Sequence, residues 1–355
     1  MPPILPPEIF LIIFDNVDDE RTLYNILITS RHFCTLVEPF LYTRIRISQH
    51  SLVSIHLMRL RSLLESLEMS NGRRARYLRD LNLGADVTMP GNNRLIDKIL
   101  VKATHLRSLT LQLIDSDFTS GWRFSFFQRR LTFNLTSLTI ANYGLYLDHA
   151  LLHFLESQTS LQILNLGYPR GHEHGYKFPS TSFPNLKVLC AHSSLAYAIL
   201  STSARITRLQ ISRSIRLPHS DITDRRCTDS VRTLSSLTSS PETGISFASL
   251  LPNLEWFSGP IDSAEQLEHL LTHNRKLRGI RFINWMPSSR SGDKIHRLFG
   301  TLATLQFLEY YGSEYKQYRW YRGAAAPTQI RWFCHFGSEW LADWREDVVN
   351  VLNHD

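Results

Sequence analysis

Residues that make or break bonds come in recognisable sets, and this chain offers few of them. His172 and His174 flank Glu173 in the loop PRGHEHGYKFPS, a spacing that can touch a metal ion. A protein-bound metal such as zinc needs a third and usually a fourth ligand. None stands nearby, so a solvated loop is expected. His105, His149, His153 and His192 have no carboxylate pattern around them and read as structural. The cysteines Cys34, Cys190, Cys227 and Cys334 are far apart, with no CxxC pair, which suggests neither a disulfide framework nor a zinc site. Cys190 falls at a strand position with nothing near it to activate a thiol. Phosphate-binding glycine loops, dinucleotide fingerprints, HExxH and GxSxG do not occur. The chain is therefore read as a non-enzyme, with no catalytic residue, cofactor or metal.

What remains are surfaces for other molecules. Arg73-Arg74-Ala75-Arg76 and Arg225-Arg226 are short basic clusters suited to nuclear import or nucleic-acid contact, but no nucleic-acid-binding fold accompanies them, so nucleic acid is disfavoured. The net charge of +7 is unevenly spread. Residues 1–45 carry six acids (Glu8, Asp15, Asp18, Asp19, Glu20, Glu38) against Arg21, Arg31 and Arg44, or −3, which leaves +10 for the remainder. That excess permits an acidic partner without demanding one. The apolar run Ile9-Phe10-Leu11-Ile12-Ile13-Phe14 is the other candidate surface. It has no basic residue before it and acids on both sides, unlike a secretion signal. It is also far shorter than the ~20 residues of a membrane span. A soluble, intracellular protein of cytoplasm or nucleus, with no membrane partner, is expected.

The elements that position this run are three short helices. Pro6 and Pro7 suit a first helical turn. Ile9, Ile12, Ile13 and Val17 then form one stripe, and Phe10, Ile13, Phe14 and Val17 an overlapping second, so the helix is apolar around most of its circumference. Asp18-Asp19-Glu20 breaks it and offers an N-cap for a helix carrying Leu23, Tyr24, Ile26 and Leu27. Ser30 caps a third helix with Phe33, Leu36 and Val37 at i, i+3 and i+4, expected to end at Pro39. Units of about 40 residues rarely enclose faces this wide unaided. One face is expected to meet a partner; the alternative is that it packs wholly on the following domain.

Residues 4–45, which contain the stretch LPPEIFLIIFDNVDDERTLYNILITSRHFCTLVEPFLYTRI, resemble an F-box, with its Leu-Pro-x-Glu-Ile opening, apolar first helix, acidic loop and Ser-Arg-x-Phe element. Its closing Pro-Phe-Leu-Tyr-x-x-Ile is similar to the version common in fungal F-box proteins. Where Val-Cys-Arg-x-Trp is usual, this chain has Ser30-Arg31-His32-Phe33-Cys34. The resemblance implies docking onto the Skp adaptor of a cullin-RING (SCF) ubiquitin ligase. The contact residues it implies are Leu5, Pro6, Ile9, Ile13, Leu23, Leu27 and Phe33.

Beyond residue 75 the string L-x-x-L-x-L, with apolar substitutes, begins at Leu78, Leu106, Leu135, Leu161, Leu186, Ile206, Leu254, Leu277 and Leu305. The starts are 20–29 residues apart except for one gap of 48, which suggests a degenerate repeat near Val231-Leu234-Leu237. These spacings resemble leucine-rich repeats, which stack into one curved core. RLIDKILVKA, DHALLHFLES, AEQLEHLLTH and DKIHRLFGTL supply helices for the convex side. The Asn that often follows the strand is replaced by Asp86, Ile114, Tyr143, Pro169 and Ser194, so the array is irregular. The fold class is thus α/β: a three-helix F-box (1–47), a linker helix (48–74), a solenoid with parallel strands on its concave face (75–336) and a C-terminal capping helix (337–355). The Ser/Thr-rich span Thr228–Thr243 reads as a flexible insertion.

Alternate strand residues face the concave side. Early repeats present Asp80, Asn82, Ser108, Thr110, Gln112, Ser137 and Thr139; late repeats present Trp256, Arg281, Ile283, Phe307, Glu309 and Tyr311. An irregular last repeat, IRWFCHF, adds Trp332 and Phe336. Residues 306–344 hold twelve of the chain's 39 aromatics. Interface energy concentrates in Trp, Tyr and Arg, so Trp256, Arg281, Phe307, Tyr311, Trp332 and Phe336 are the candidate contacts for an unknown target protein. The alternative is that these aromatics fill the end cap, as expected for Trp340 and Trp344. Together the two parts imply a substrate-receptor subunit of an SCF ligase; the alternative is a repeat scaffold that does not promote degradation.

Overall fold

A computed structural model of the chain describes residues 6–17, 19–48, 53–86, 90–114, 127, 131–141, 148–167, 177–212, 228–236, 241–282, 299–300, 302–311, 317–324 and 328–330. The fold is α/β, built on one open, mostly parallel sheet of thirteen strands ordered β1 to β13 in sequence.

The chain begins with helices α1 (Pro7–Asp15), α2 (Glu20–Thr29) and α3 (Arg31–Thr43). Their starts follow from local chemistry. The Asp19 carboxylate accepts the Thr22 hydroxyl and the backbone N–H groups of Arg21 and Thr22, which together hold it below the ordinary carboxylate range. Ser30 accepts the Phe33 N–H at 3.1 Å. Both satisfy amides that a helix start would otherwise leave without partners. α3 does not stop at Pro39 as expected; it runs four residues further. A proline inside a helix forfeits one backbone bond and crowds the preceding turn. Here the turns on either side are held by tertiary packing: Val37 and Glu38 are buried, and Phe40 and Leu41 pack on the small core of Phe14, Leu23 and Val37.

Strand β1 (Arg44–Ile47) follows α3 without a break and pairs in parallel with β2 (Asp80–Asp86). The connection is α4 (Val53–Glu68), a 3-10 turn and α5 (Arg73–Tyr77). Parallel strands continue through β3 (Ser108–Ile114), β4 (Ser137–Ala141), β5 (Ile163–Asn165), β6 (Val188–Ala191), β7 (Arg208–Ile211), β8 (Thr233–Ser236), β9 (Trp256–Gly259), β10 (Gly279–Phe282) and β11 (Phe307–Tyr311). The described crossover helices are α6 (Pro90–Lys102), α7 (His149–Ser157), α8 (Ser193–Leu200), α9 (Pro241–Ser249) and α10 (Ala264–His273).

The repeat leucines face these helices. Leu81, Leu109, Leu138, Leu164, Leu189, Leu209, Leu234, Phe257, Ile280 and Leu308 form one row at 1% exposure or less, within a single continuous core. Stacked repeats bury their apolar side only against one another. Where each chain segment turns into its strand, one backbone carbonyl takes two N–H groups from the next repeat. Arg79 O accepts Arg107 and Ser108 (2.8 and 2.9 Å), Arg107 O accepts Thr136 and Ser137, and the pattern repeats as far as Arg278 O. This hydrogen-bonded spine fixes the register of the whole array.

The 48-residue gap does hold a repeat: β8 lies there, with Val231 and Leu234 fully buried. Thr228–Thr243 is therefore no plain insertion, because it supplies that strand and the start of α9. The parallel order also ends before the chain does. β12 (Gln317–Tyr321) and β13 (Thr328–Ile330) pair antiparallel, β12 against β11. Most of DKIHRLFGTL, the segment IRWFCHF beyond Ile330 and the expected capping helix lie outside the described residues.

Candidate docking surfaces

Helix α1 presents apolar side chains in two directions. Phe10, Phe14 and Val17 turn inward, where the Phe10 and Phe33 rings meet edge-on at 5.1 Å and Phe14 meets Phe33 and Phe40. Ile9, Leu11, Ile12 and Ile13 are 41%, 38%, 60% and 46% exposed. Isolated apolar residues on a surface are ordinary. Four within five consecutive positions of one helix are not, because a patch of this kind gains free energy when another surface removes it from water. On α2, Tyr24 and Ile28 are also exposed, one turn apart.

Of the adaptor contacts the resemblance implied, Pro6, Ile9 and Ile13 are exposed. Leu27 and Phe33 are half-buried against the small core, and Leu23 lies inside it at 6% exposure. Leu23 therefore acts by packing α2 against its neighbours. Leu5 lies outside the described residues.

The helical unit is tied to the sheet by a buried carboxylate. Glu38 of α3, 2% exposed, takes hydrogen bonds from Arg73 and from Arg74 Nε (2.6 Å) at α5. Arg74 also donates to Ser66 Oγ at 3.0 Å and lies over the Tyr42 ring. The Glu38 hydrogen bonds raise the Arg74 pKa. Two members of the basic cluster 73–76 are thus engaged by Glu38, holding α3 to α5.

On the side of the sheet away from the helices, one register row crosses twelve strands. It reads Arg46, Asn82, Thr110, Thr139, Asn165, Cys190, Gln210, Ser235, Ser258, Arg281, Glu309, Arg319. Its last three members form an ionic cluster. Arg281 Nε and Arg319 Nε donate to the two oxygens of Glu309 at 2.5 and 2.7 Å, and all three side chains are less than a tenth exposed. Arg319 also donates to Tyr321 Oη and lies 4.7 Å from the Phe307 ring centre. Burial alone would lower the Arg319 pKa; the Glu309 charge and the hydrogen bonds to Tyr321 and Glu309 together outweigh it, and the pKa is raised.

Two residues nearer the strand starts, on the same face, Trp256, Gly279 and Phe307 are register partners. The Trp256 and Phe307 rings meet across the glycine at 5.3 Å, where a Cβ would come within 2.6 Å of one and 2.7 Å of the other. The predicted target contacts at this end are thus packed upon one another: Arg281 is inside the ionic cluster and Phe307 is 6% exposed. Trp256 remains half-buried. Tyr311 ends β11, and Trp332 and Phe336 lie outside the described residues. Much of the aromatic enrichment goes to closing the array, with Tyr310 stacked on Tyr318 and Trp320 joining the main core.

Cys190 is buried in the row, and burial pushes its thiol up to about 12, far from a reactive thiolate at neutral pH. His192 caps α8 through the Ser194 N–H. Among the described residues, no three His, Cys, Asp or Glu side chains are grouped to hold a metal ion. None of their helices is long and apolar enough to cross a membrane.

No protein-family model and no curated protein matches this chain. The surfaces themselves carry the functional argument: an outward apolar helix face at one end, and a sheet face whose two halves differ in how far they are already satisfied.

Proposed function

We propose that this chain is the substrate-receptor subunit of an SCF-type ubiquitin ligase, with α1–α3 as an F-box and the following array as irregular leucine-rich repeats. The outer face of α1 meets the Skp adaptor, and the concave sheet face holds the target protein. The observation that carries the reading is the two-sided α1 helix, which fills a small core with Phe10 and Phe14 while leaving Ile9, Leu11, Ile12 and Ile13 at the surface. The mechanism is positional. Holding a target beside a ubiquitin-charged enzyme raises the effective concentration of its lysines, and the Glu38 clamp keeps the docking unit in a fixed relation to the sheet. The chain acts in this reading without bond chemistry of its own, in cytoplasm or nucleus.

The test is capture of the purified Skp adaptor by the full chain. An Ile12→Asp/Ile13→Asp variant is expected to lose about a hundredfold in affinity, as central apolar anchors do, while its thermal midpoint stays within a few degrees. An intact chain that does not bind the adaptor overturns the reading. Turnover of a co-purified protein then separates a receptor from a scaffold.

A further inference from the structure

The geometry points to the β2–β7 half of the open face as a binding site for an extended, acidic peptide segment of a partner protein. This names the target chemistry of the function proposed above, at a place the sequence did not single out. Asn82, Thr110, Thr139, Asn165 and Gln210 lie in one register row and are half-buried. None of their side chains forms a hydrogen bond with the described residues. Amide side chains donate and accept at once, and threonine hydroxyls do the same. Such a ladder suits a peptide backbone, which offers both an N–H and a C=O at each residue. Adjacent strands are about 4.8 Å apart, so the row from β2 to β7 spans about 24 Å, the length of roughly seven extended residues.

Charge gives the ligand its sign. Arg44 and Arg46 of β1, Arg107 before β3 and Lys187 before β6 are exposed. Among the described residues at these strand starts, Asp80 is the one carboxylate. Its pKa is raised by burial and drawn back by Arg44 and Arg107, which places both guanidiniums within electrostatic reach of this corner. A cationic rim along a neutral ladder favours carboxylates on the side chains of a chain lying in the ladder. A single-stranded nucleic acid would also be anionic, but it gains most of its base-directed affinity by stacking on aromatic rings. The described open-face side chains of β1–β7 include no aromatic ring: besides the row they are Arg44, Asp80, Ser108, Gln112, Ser137, Ala141, Ile163, Val188 and Arg208.

The experiment uses the full chain on an array of decapeptides with Glu or Asp at alternate positions and varied residues between, beside the same set carrying Lys. A ten-nucleotide single-stranded oligonucleotide serves as competitor. Acidic peptides are expected to be retained over their lysine counterparts. The Asn82→Ala/Thr110→Ala/Asn165→Ala variant should retain them about a hundredfold less, the scale of three lost net hydrogen bonds. Arg44→Glu/Arg107→Glu, at exposed positions that leave the ladder intact, should transfer preference to the lysine set. The proposal is overturned if the lysine set binds the native chain equally, if both variants keep native retention, or if the oligonucleotide displaces the peptides at lower concentration than an acidic peptide does. No adaptor is present, so failure here leaves adaptor docking standing, and a chain that binds acidic peptides yet not the adaptor would fail only the other reading.

Discussion

At the β10–β12 end of the open face, a carboxylate and two guanidiniums are shut away from water and bonded to one another; at the β2–β7 end, amides and hydroxyls of the same register row are half-exposed and bond none of the described residues. The two ends differ in what a ligand would have to displace. Removing a partner from a buried ion network costs about 3–5 kcal/mol, because it strands the remaining charge. Displacing water from a half-exposed threonine or asparagine costs little when the ligand restores its hydrogen bonds. Residue types alone therefore mislead: the aromatic and arginine-rich end has the composition of an interface, yet its side chains are already spent on closing the array. The polar end, plainer in composition, keeps its bonding capacity for something else.

The sharpest way to break this comparison is Glu309→Gln. The amide keeps the shape but leaves Arg281 and Arg319 without their shared charge, and a loss of about 3–5 kcal/mol in urea unfolding is expected. A loss under about 1 kcal/mol would mean that the cluster is hydrated and that the two ends are alike. Next in size is Gly279→Ala. A methyl group there would meet both the Trp256 and Phe307 rings well inside contact distance, and forced repacking of this kind costs about 1–3 kcal/mol. Trp256 emission should shift along with the lowered thermal midpoint. An unchanged spectrum and stability would show the rings to be loosely held, and so open to a partner.

Much of this architecture was legible in the chain itself. The L-x-x-L-x-L string placed β2 to β11, including the strand hidden in the long gap, because leucines facing a continuous core recur wherever a repeat does. Asp19 and Ser30 announced their helices for an equally local reason. β1 was missed because RIRI carries two arginines and no leucine, and only its pairing with β2 makes it a strand. Pro39 misled because helix continuation there depends on tertiary packing around Val37 and Glu38. Arg281 was read as a free contact because strand alternation tells which face a side chain takes and not what closes over it. Its partner Glu309 is 28 residues away, and Arg319 reaches the same carboxylate only because β12 turns back antiparallel. No periodic pattern encodes that reversal. Alternation did put Asn82, Thr110 and Thr139 on the concave face, but they are unremarkable singly and acquire meaning once register aligns them with Asn165 and Gln210.

The smallest expected effect is the one that carries the comparison furthest. Asn82→Ala/Asn165→Ala should change folding stability by no more than about 0.5 kcal/mol per site, as surface substitutions away from packed or paired groups do. At the other end of the row, Arg319→Ala removes one of the two guanidiniums bonded to the buried Glu309 carboxylate, so its cost should exceed the double asparagine change severalfold. The pair of urea titrations thus reads the row from both ends with side chains truncated to the same methyl group. If the asparagines prove as costly as the arginine, the ladder is structural and its half-exposed amides are holding the sheet together. If they prove nearly silent, their presence is not explained by the folding of this chain, and a ligand bonding to them is what remains to account for amides and hydroxyls aligned on five of six adjacent strands.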